Sequence, residues 1–375
     1  MPIAPIPVSI ITGFLGAGKT TLLNRLLKDP ALADTIVIVN EFGEIGLDHL
    51  FIETQDDNMI LMASGCLCCT IRGDLISTLE DLIKKYDTGA LKAFKRVIIE
   101  TTGLADPAPI LQSLIGHPMI LVRYTLDGVV TLVDAVNGSS TLDHHREAVK
   151  QAAIADRIVL TKTDLQTDTD SLRTRLKRLN PAALVIDAQS SEADAAHLIG
   201  TGAFDLSQKI PDVAAWLKSE AYEVQDHHHA HHHGHDHHHD EHDHAHHHDI
   251  NRHDDHIRAF CLTTNEAIPI AAFEMFLTLL QSAHGPNLLR MKGIVKLAEH
   301  PGHPVILHGV QHVFHPPVKL SHWPDDDHRT KLVFITKDLD ESFVSRLWDA
   351  FLDRPGIDTP DRSAMFENPL SLRRE

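Results

Sequence analysis

The sequence predicts an α/β fold, a mainly parallel sheet with flanking helices, followed by a smaller α+β domain. Three observations predict it. Short, nearly continuous apolar runs, most of them β-branched, recur at residues 8–11, 36–39, 97–99, 129–133, 158–160 and 184–186. Strands covered on both faces read this way. Between the runs lie stretches with helical periodicity, and alternation of this kind implies a parallel sheet wrapped by helices. Past residue 256 the order becomes strand, helix, a run of strands, helix, which is the grouping of a small α+β domain.

The elements follow in order. The run at 8–11 leads into a glycine-rich stretch and then a helix with Leu22, Leu23, Leu26 and Leu27 on one face. A second helix carries Leu75, Ile76, Leu79, Leu82 and Ile83 on its apolar face. The first domain is assigned residues 1–220, its apolar pattern ending near Trp216 and Leu217. Residues 221–256 form a His-rich linker. From His227 to His256 it holds mostly His, Asp and small residues, too little apolar surface to fold without a ligand. The second domain is assigned residues 257–375. It reads as a strand at 257–262, a helix at 270–282, strands at 288–297 and 305–314 joined by a turn at Pro301-Gly302, a strand at 331–336 and a helix at 341–351.

Composition excludes several roles. A formal net charge of -18 argues against a nucleic-acid surface, which needs a basic face. No apolar run reaches the roughly 18 residues of a membrane span, and the first residues lack the basic and apolar regions of a signal peptide. Of four cysteines, three fall in Cys66-Leu67-Cys68-Cys69. That is a poor disulfide framework, and it fits reduced thiols in a cytoplasm. Cys261, alone before Leu262, reads as a core residue.

Gly13-Phe14-Leu15-Gly16-Ala17-Gly18-Lys19-Thr20 matches G-x-x-x-x-G-K-[ST] between a strand and a helix, the context a phosphate loop requires. Backbone N–H groups at Gly13, Gly16, Ala17 and Gly18 wrap phosphate oxygens, and the helix N-terminus adds partial positive charge. Lys19 reaches the β- and γ-phosphates, the Thr20 hydroxyl binds Mg²⁺, and Thr21 completes the nucleotide contacts. Thr161-Lys162-Thr163-Asp164 follows a predicted strand and reads as the [NT]-K-x-D guanine motif. A carboxylate at Asp164 accepts from both N1–H and the 2-amino group of guanine, whereas adenine would leave it unpaired at a cost of about 1–3 kcal/mol. The Lys162 stem is expected along the base.

Together with Asn40-Glu41-Phe42-Gly43-Glu44, Gly65-Cys66-Leu67-Cys68-Cys69 and Glu100-Thr101-Thr102-Gly103-Leu104-Ala105-Asp106-Pro107, these motifs resemble the CobW/YjiA-type P-loop GTPases, which are metallochaperone-like proteins. The trailing part resembles the CobW C-terminal domain, so the resemblance covers the whole chain. It implies that Glu100 is the Walker B acid, acting with Lys19 in catalysis and on Mg²⁺ through water. It also implies that Gly103 approaches the γ-phosphate and that Asn40 to Glu44 form switch I. No glutamine stands in an evident water-orienting position, so slow intrinsic hydrolysis of GTP to GDP and phosphate is expected.

Thiolates at Cys66, Cys68 and Cys69 suit Zn²⁺, which takes four ligands in a structural site. The fourth is open among Glu41, Glu44, His117 and water; the resemblance associates a histidine at the place of His117, and acids near switch I, with metal binding. Some relatives carry an acid where this chain has Val39, a departure that puts a secondary metal site in question. Buried thiols without metal are the alternative for the triplet, and a polar loop residue is the alternative for His117. The histidines of the linker favour Zn²⁺, Ni²⁺, Co²⁺ or Cu²⁺. The expected activity is a Mg²⁺-dependent GTPase that delivers zinc to a client metalloprotein, with a homodimer among the assemblies allowed. The rival readings are a cobalt chaperone for cobalamin synthesis and a metal buffer with nucleotide as a structural ligand. A P-loop kinase is disfavoured by the guanine motif.

Overall fold

The computed structural model describes residues 4–42, 59–64, 69–200 and 256–352. Residues 4–200 build a sheet from β1 (Ile6–Gly13), β2 (Thr35–Phe42), β3 (Met59–Ser64), β4 (Arg96–Glu100), β5 (Tyr124–Asp134), β6 (Arg157–Thr161) and β7 (Leu184–Asp187). Its order is β3-β2-β4-β1-β5-β6-β7 and every pairing is parallel. The expectation of a mainly parallel sheet is met in full. The helices are α1 (Lys19–Leu26), α2 (Cys69–Asp87), α3 (Ala108–Gly116), α4 (Pro118–Arg123), α5 (Gly138–His144), α6 (Arg146–Ala153), α7 (Asp170–Leu179) and α8 (Ala195–Leu198). Val8, Ile10, Ile38, Val97 and Ile99 face a layer that includes Leu75, Leu79 and Leu82 of α2, and Ile11, Val37, Val39, Ile98 and Val159 face Leu22, Leu23 and Leu26 of α1. Alternate residues of one strand thus enter opposite cores. Full burial of each such side chain contributes about 1.5–3 kcal/mol.

Strand β3 has no counterpart among the apolar runs read from the sequence. Its Ala63 and Ser64 pair with Glu41 and Phe42 of β2. Met59, Leu61 and Met62 lack the β-branching that marks the other strands; sheet pairing overrides that weak local preference.

The second sheet runs β11-β10-β9-β13-β8, with β12 paired to β10. Its strands are β8 (Ile257–Thr264), β9 (Leu288–Val295), β10 (Val305–Val310), β11 (Val313–Phe314), β12 (Val318–Lys319) and β13 (Thr330–Lys337), with helices α9 (Ile270–His284) and α10 (Glu341–Phe351). The run at 305–314 is broken into β10 and β11 by Gln311, whose φ of 55° is left-handed. One face of this sheet, with Phe260, Leu262, Leu332 and Phe334, packs on Phe276 and Trp348 of the helices. The other face, with Ala259, Leu289, Val333 and Ile335, joins the core of the first domain, and the half-buried Cys261 packs there too.

Polar groups fix the join. Asp156 Oδ1 accepts from Arg290 Nη2 at 2.7 Å and from Lys292 Nζ, and Asp156 Oδ2 accepts from the Val129 amide at 2.9 Å. Burial works to raise the Asp156 carboxyl, but the Arg290 and Lys292 charges outweigh it and hold the group well below the usual carboxylate range.

Candidate functional site

The phosphate loop leaves the carboxyl end of β1. Gly13 has φ 146°, and a Cβ there would lie 2.5 Å from the Leu132 carbonyl oxygen on β5, so the loop can sit this close to the sheet only with glycine. Gly16 and Gly18 are left-handed, at φ 70° and 87°, and Gly18 precedes the first turn of α1. Ala17 is buried and its amide donates to the Phe14 carbonyl at 3.1 Å. Lys19 Nζ donates to the carbonyls of Gly13 and Phe14, at 3.0 and 3.3 Å. Thr20 Oγ1 donates to Glu100 Oε1 at 3.0 Å, and Thr21, the next residue of α1, is exposed. Glu100 ends β4 and is only 4% exposed. A hydroxyl and a carboxylate converging beside a phosphate loop are the hard oxygen donors that Mg²⁺ takes.

The 101–107 loop crosses directly under the phosphate loop. The Thr101 amide donates to the Ile11 carbonyl at 3.0 Å, and its hydroxyl donates to Thr12 Oγ1 at 2.7 Å. A Cβ on Gly103 would meet the Leu15 backbone nitrogen at 2.5 Å and its Cα at 2.7 Å. The two loops therefore touch backbone to backbone. From α6, Gln151 Nε2 donates to the carbonyls of Gly103 and Ala105 at 3.2 and 3.0 Å, and Lys150 Nζ pairs with Asp106 Oδ2 at 2.6 Å. Sequence reasoning missed both residues, because nothing in the local pattern of α6 says which loop it will lie against.

On the base side, Thr161 Oγ1 donates to the Ala17 carbonyl at 2.8 Å, which ties the end of β6 to the phosphate loop. Lys162 is left-handed, with φ 58°, and its ammonium pairs with Asp134 Oδ2 at 2.5 Å. Asp134, also missed in the sequence, accepts further from the Val136 amide at 2.8 Å and from Asn137 Nδ2 at 3.0 Å. Burial pushes the Asp134 carboxyl up, but the hydrogen bonds from Lys162 and Asn137 prevail and keep it below its ordinary value. A cavity of about 240 Å³ is lined by Phe14, Gly16, Ala17, Asp134, Asn137 and Lys162. Asp164 is exposed and accepts a long contact from Gln189 Nε2 at 3.4 Å.

Gly13, Gly16, Ala17, Gly18, Lys19, Thr20, Glu100, Gly103, Thr161 and Lys162 thus gather at the carboxyl edge of the strands, where parallel sheets place ligands. Of the metal-ligand candidates, Cys66, Cys68 and Glu44 lie outside the described residues, as does the His-rich linker up to residue 255. Cys69 opens α2 and Glu41 is the penultimate residue of β2. Glu41 pairs with Ala63, three residues before the first cysteine of the run. His117 follows Gly116, the last residue of α3, and caps the start of α4. Among the described residues no group of three or more His, Cys, Asp or Glu could hold a metal ion. Val39, buried opposite Glu100, offers no ligand at that position.

This fold and loop set define a P-loop nucleotide-binding domain joined to an antiparallel-sheet domain. Residues 7–187 match the family described as CobW/HypB/UreG, nucleotide-binding domain, and residues 257–352 match the cobalamin synthesis protein cobW C-terminal domain. The chain thus carries a CobW/HypB/UreG nucleotide-binding domain followed by a CobW C-terminal domain. It is 40% identical over 206 residues to the zinc chaperone YjiA of Escherichia coli (strain K12), a match covering 55% of this chain and 64% of that protein. It is 31% identical over 199 residues to zinc-regulated GTPase metalloprotein activator 1 of Schizosaccharomyces pombe, covering 51% and 47%. The chain thus spans less than two thirds of the length of these curated relatives. The zinc-bound YjiA GTPase structure from E. coli superposes with a TM-score of 0.65 at 26% identity, over 93% of this chain and 99% of that one. Among the described residues no helix is long and apolar enough to cross a membrane.

Proposed function

We propose that this protein is a Mg²⁺-dependent GTPase that carries zinc to a client metalloprotein. The observation that carries the reading is the Thr20–Glu100 contact at 3.0 Å beside a complete phosphate loop, with Thr161 tying the guanine motif to that loop. Lys19, Thr20 and the loop amides hold the phosphates, Glu100 and Thr20 hold Mg²⁺, and Asp164 selects guanine. When bound, Mg²⁺ neutralises charge on the phosphate oxygens.

Zinc is the cargo, held by Cys66, Cys68 and Cys69, with Glu41 or His117 as candidate fourth ligand. The zinc-named relatives favour zinc over cobalt. Because the thiol segment follows the strand next to β2, nucleotide and metal act on neighbouring backbone. Any effect of one on the affinity of the other is reciprocal. The His-rich linker concentrates metal, and the domain at 257–375 docks the client.

The test is release of phosphate from GTP by the full chain, with and without Zn²⁺, beside Cys68→Ala. The reading expects Mg²⁺-dependent turnover that responds to zinc in the wild type and not in the variant. No turnover with Mg²⁺ sinks the GTPase reading, and equal zinc affinity in the GTP-analogue and GDP forms sinks the delivery reading.

A further inference from the structure

Gln151 is a polar side chain only 1% exposed, on a helix whose neighbours Ala148, Val149 and Ala152 are apolar and buried. An apolar residue would pack there without cost, whereas a buried amide must find partners. Its Nε2 finds two, the carbonyls of Gly103 and Ala105. Its Oε1 has no hydrogen-bond partner among the described residues, and such an atom in a native interior calls for an explanation. The main-chain carbonyl of Gln151 is itself fixed by Thr131 Oγ1 of β5 at 2.7 Å. Beside it, Lys150 holds Asp106, whose other oxygen accepts from the Ala108 amide at 3.0 Å at the start of α3. At the other end of α6, the His145 ring lies 4.3 Å from that of Phe14 in the phosphate loop. This short helix therefore touches both loops of the nucleotide site.

The far end of α6 meets the second domain. Arg290 of β9 donates to the Ile154 carbonyl just past the helix and to Asp156. Asn180 Nδ2 contacts the carbonyls of Ala152, Ala153 and Ala155 at 2.9–3.0 Å. The other flank of the 101–107 loop ends there as well. Its helix α3 meets the second domain through Gln112 and Gln311, and at Gly116, where a Cβ would sit 2.9 Å from Val313 Cγ1. Both elements that frame this loop thus rest on β9–β11.

We infer that Gln151 is a positioning residue of the hydrolytic site: it pins the carbonyls of Gly103 and Ala105 to α6, and α6, clamped at Ile154 and Asp156 by Arg290, couples that loop to the C-terminal domain. Whatever loads the C-terminal sheet then alters nucleotide turnover without touching a phosphate. The inference rests on the GTPase reading for its kinetic readout.

The test is a kinetic and hydrogen-exchange comparison of full-length Gln151→Leu with the wild type. Expected are a fall in kcat of about 10-fold, a KM for GTP and an affinity for GDP within about two-fold of wild type, and exchange at amides 103–105 faster by about 10-fold. Arg290→Gln is expected to lower kcat in the wild-type background and to have a smaller effect in the Gln151→Leu background. If Arg290→Gln does not fold, Arg290→Lys, which keeps the charge but cannot bridge the Ile154 carbonyl and Asp156 together, takes its place with the same non-additivity. Losses of kcat, GDP affinity and thermal stability in parallel, unchanged exchange at 103–105, or strict additivity would each overturn the inference. A wild type that does not hydrolyse GTP would overturn the GTPase reading alone, since exchange at 103–105 still reports the restraint.

Discussion

Lys162 reaches from the end of β6 to Asp134 at the end of β5, ammonium to carboxylate at 2.5 Å. Neighbouring strands thus deliver opposite charges to one rim of the cavity beside the phosphate loop. With its carboxylate also held by Val136 and Asn137, Asp134 fixes where the Lys162 stem runs. Asp134→Asn keeps the shape and removes the charge. Guanine-nucleotide affinity should fall about 10-fold, the loss of roughly one charged hydrogen bond, as read by titration calorimetry with GDP. Unchanged affinity would mean that the orientation of Lys162 does not matter to binding.

Guanine selection is expected to reside in Asp164. In Asp164→Asn an amide faces the base where a carboxylate accepted two hydrogens, so preference should move from guanine towards xanthine nucleotides, which present an oxygen there. Competition between GDP and xanthosine diphosphate measures it. An unaltered preference for GDP would remove Asp164 from base recognition.

Two glycines are expected to fail differently. Gly13→Ala drives a Cβ into the Leu132 carbonyl from a backbone angle that L-residues rarely adopt, so stability should drop by about 3 kcal/mol. That is a fall in Tm of roughly 4 °C for a chain of 375 residues. Gly103→Ala instead drives a Cβ into the Leu15 backbone of the phosphate loop from an ordinary φ. It should lower Tm less than Gly13→Ala, since only the clash and no backbone strain is added, while abolishing hydrolysis, and calorimetry with a phosphate-release assay separates the two cases.

Acidification should loosen the domain join before it reaches the carboxylates. His308 is buried in β10, and burial, then the Lys292 and Arg290 charges, lower its pKa well below 6.5, with Asp156 opposing. The unfolded chain takes up that proton near pH 6.5 and the folded chain does not. The stability contribution is therefore complete above about pH 6.5 and is lost as pH falls towards the folded value, at most about 1.4 kcal/mol per pH unit for one group. Between pH 7.5 and 5.5 the Tm of the wild type should fall more steeply than that of His308→Gln. Parallel slopes would assign the effect to other histidines, such as the half-buried His315.

The parallel sheet, the phosphate loop and the order of the second domain were legible in the sequence because each is written locally. Val and Ile runs at 97–99 and 158–160 fall inside β4 and β6, and the helix read at 341–351 is α10 with the same bounds. Glycine spacing and one lysine suffice to announce a phosphate loop, since its backbone geometry depends on few residues.

What the tertiary structure alone decided is who meets whom. No local pattern marks Asp134 as the partner of Lys162, Gln151 as the holder of Gly103, or Arg290 as the clamp on Asp156, residues 28, 48 and 134 apart in the chain. Periodicity says which face of an element turns inward. Strand order and register decide what lies across from it, and these depend on the packing of the whole chain.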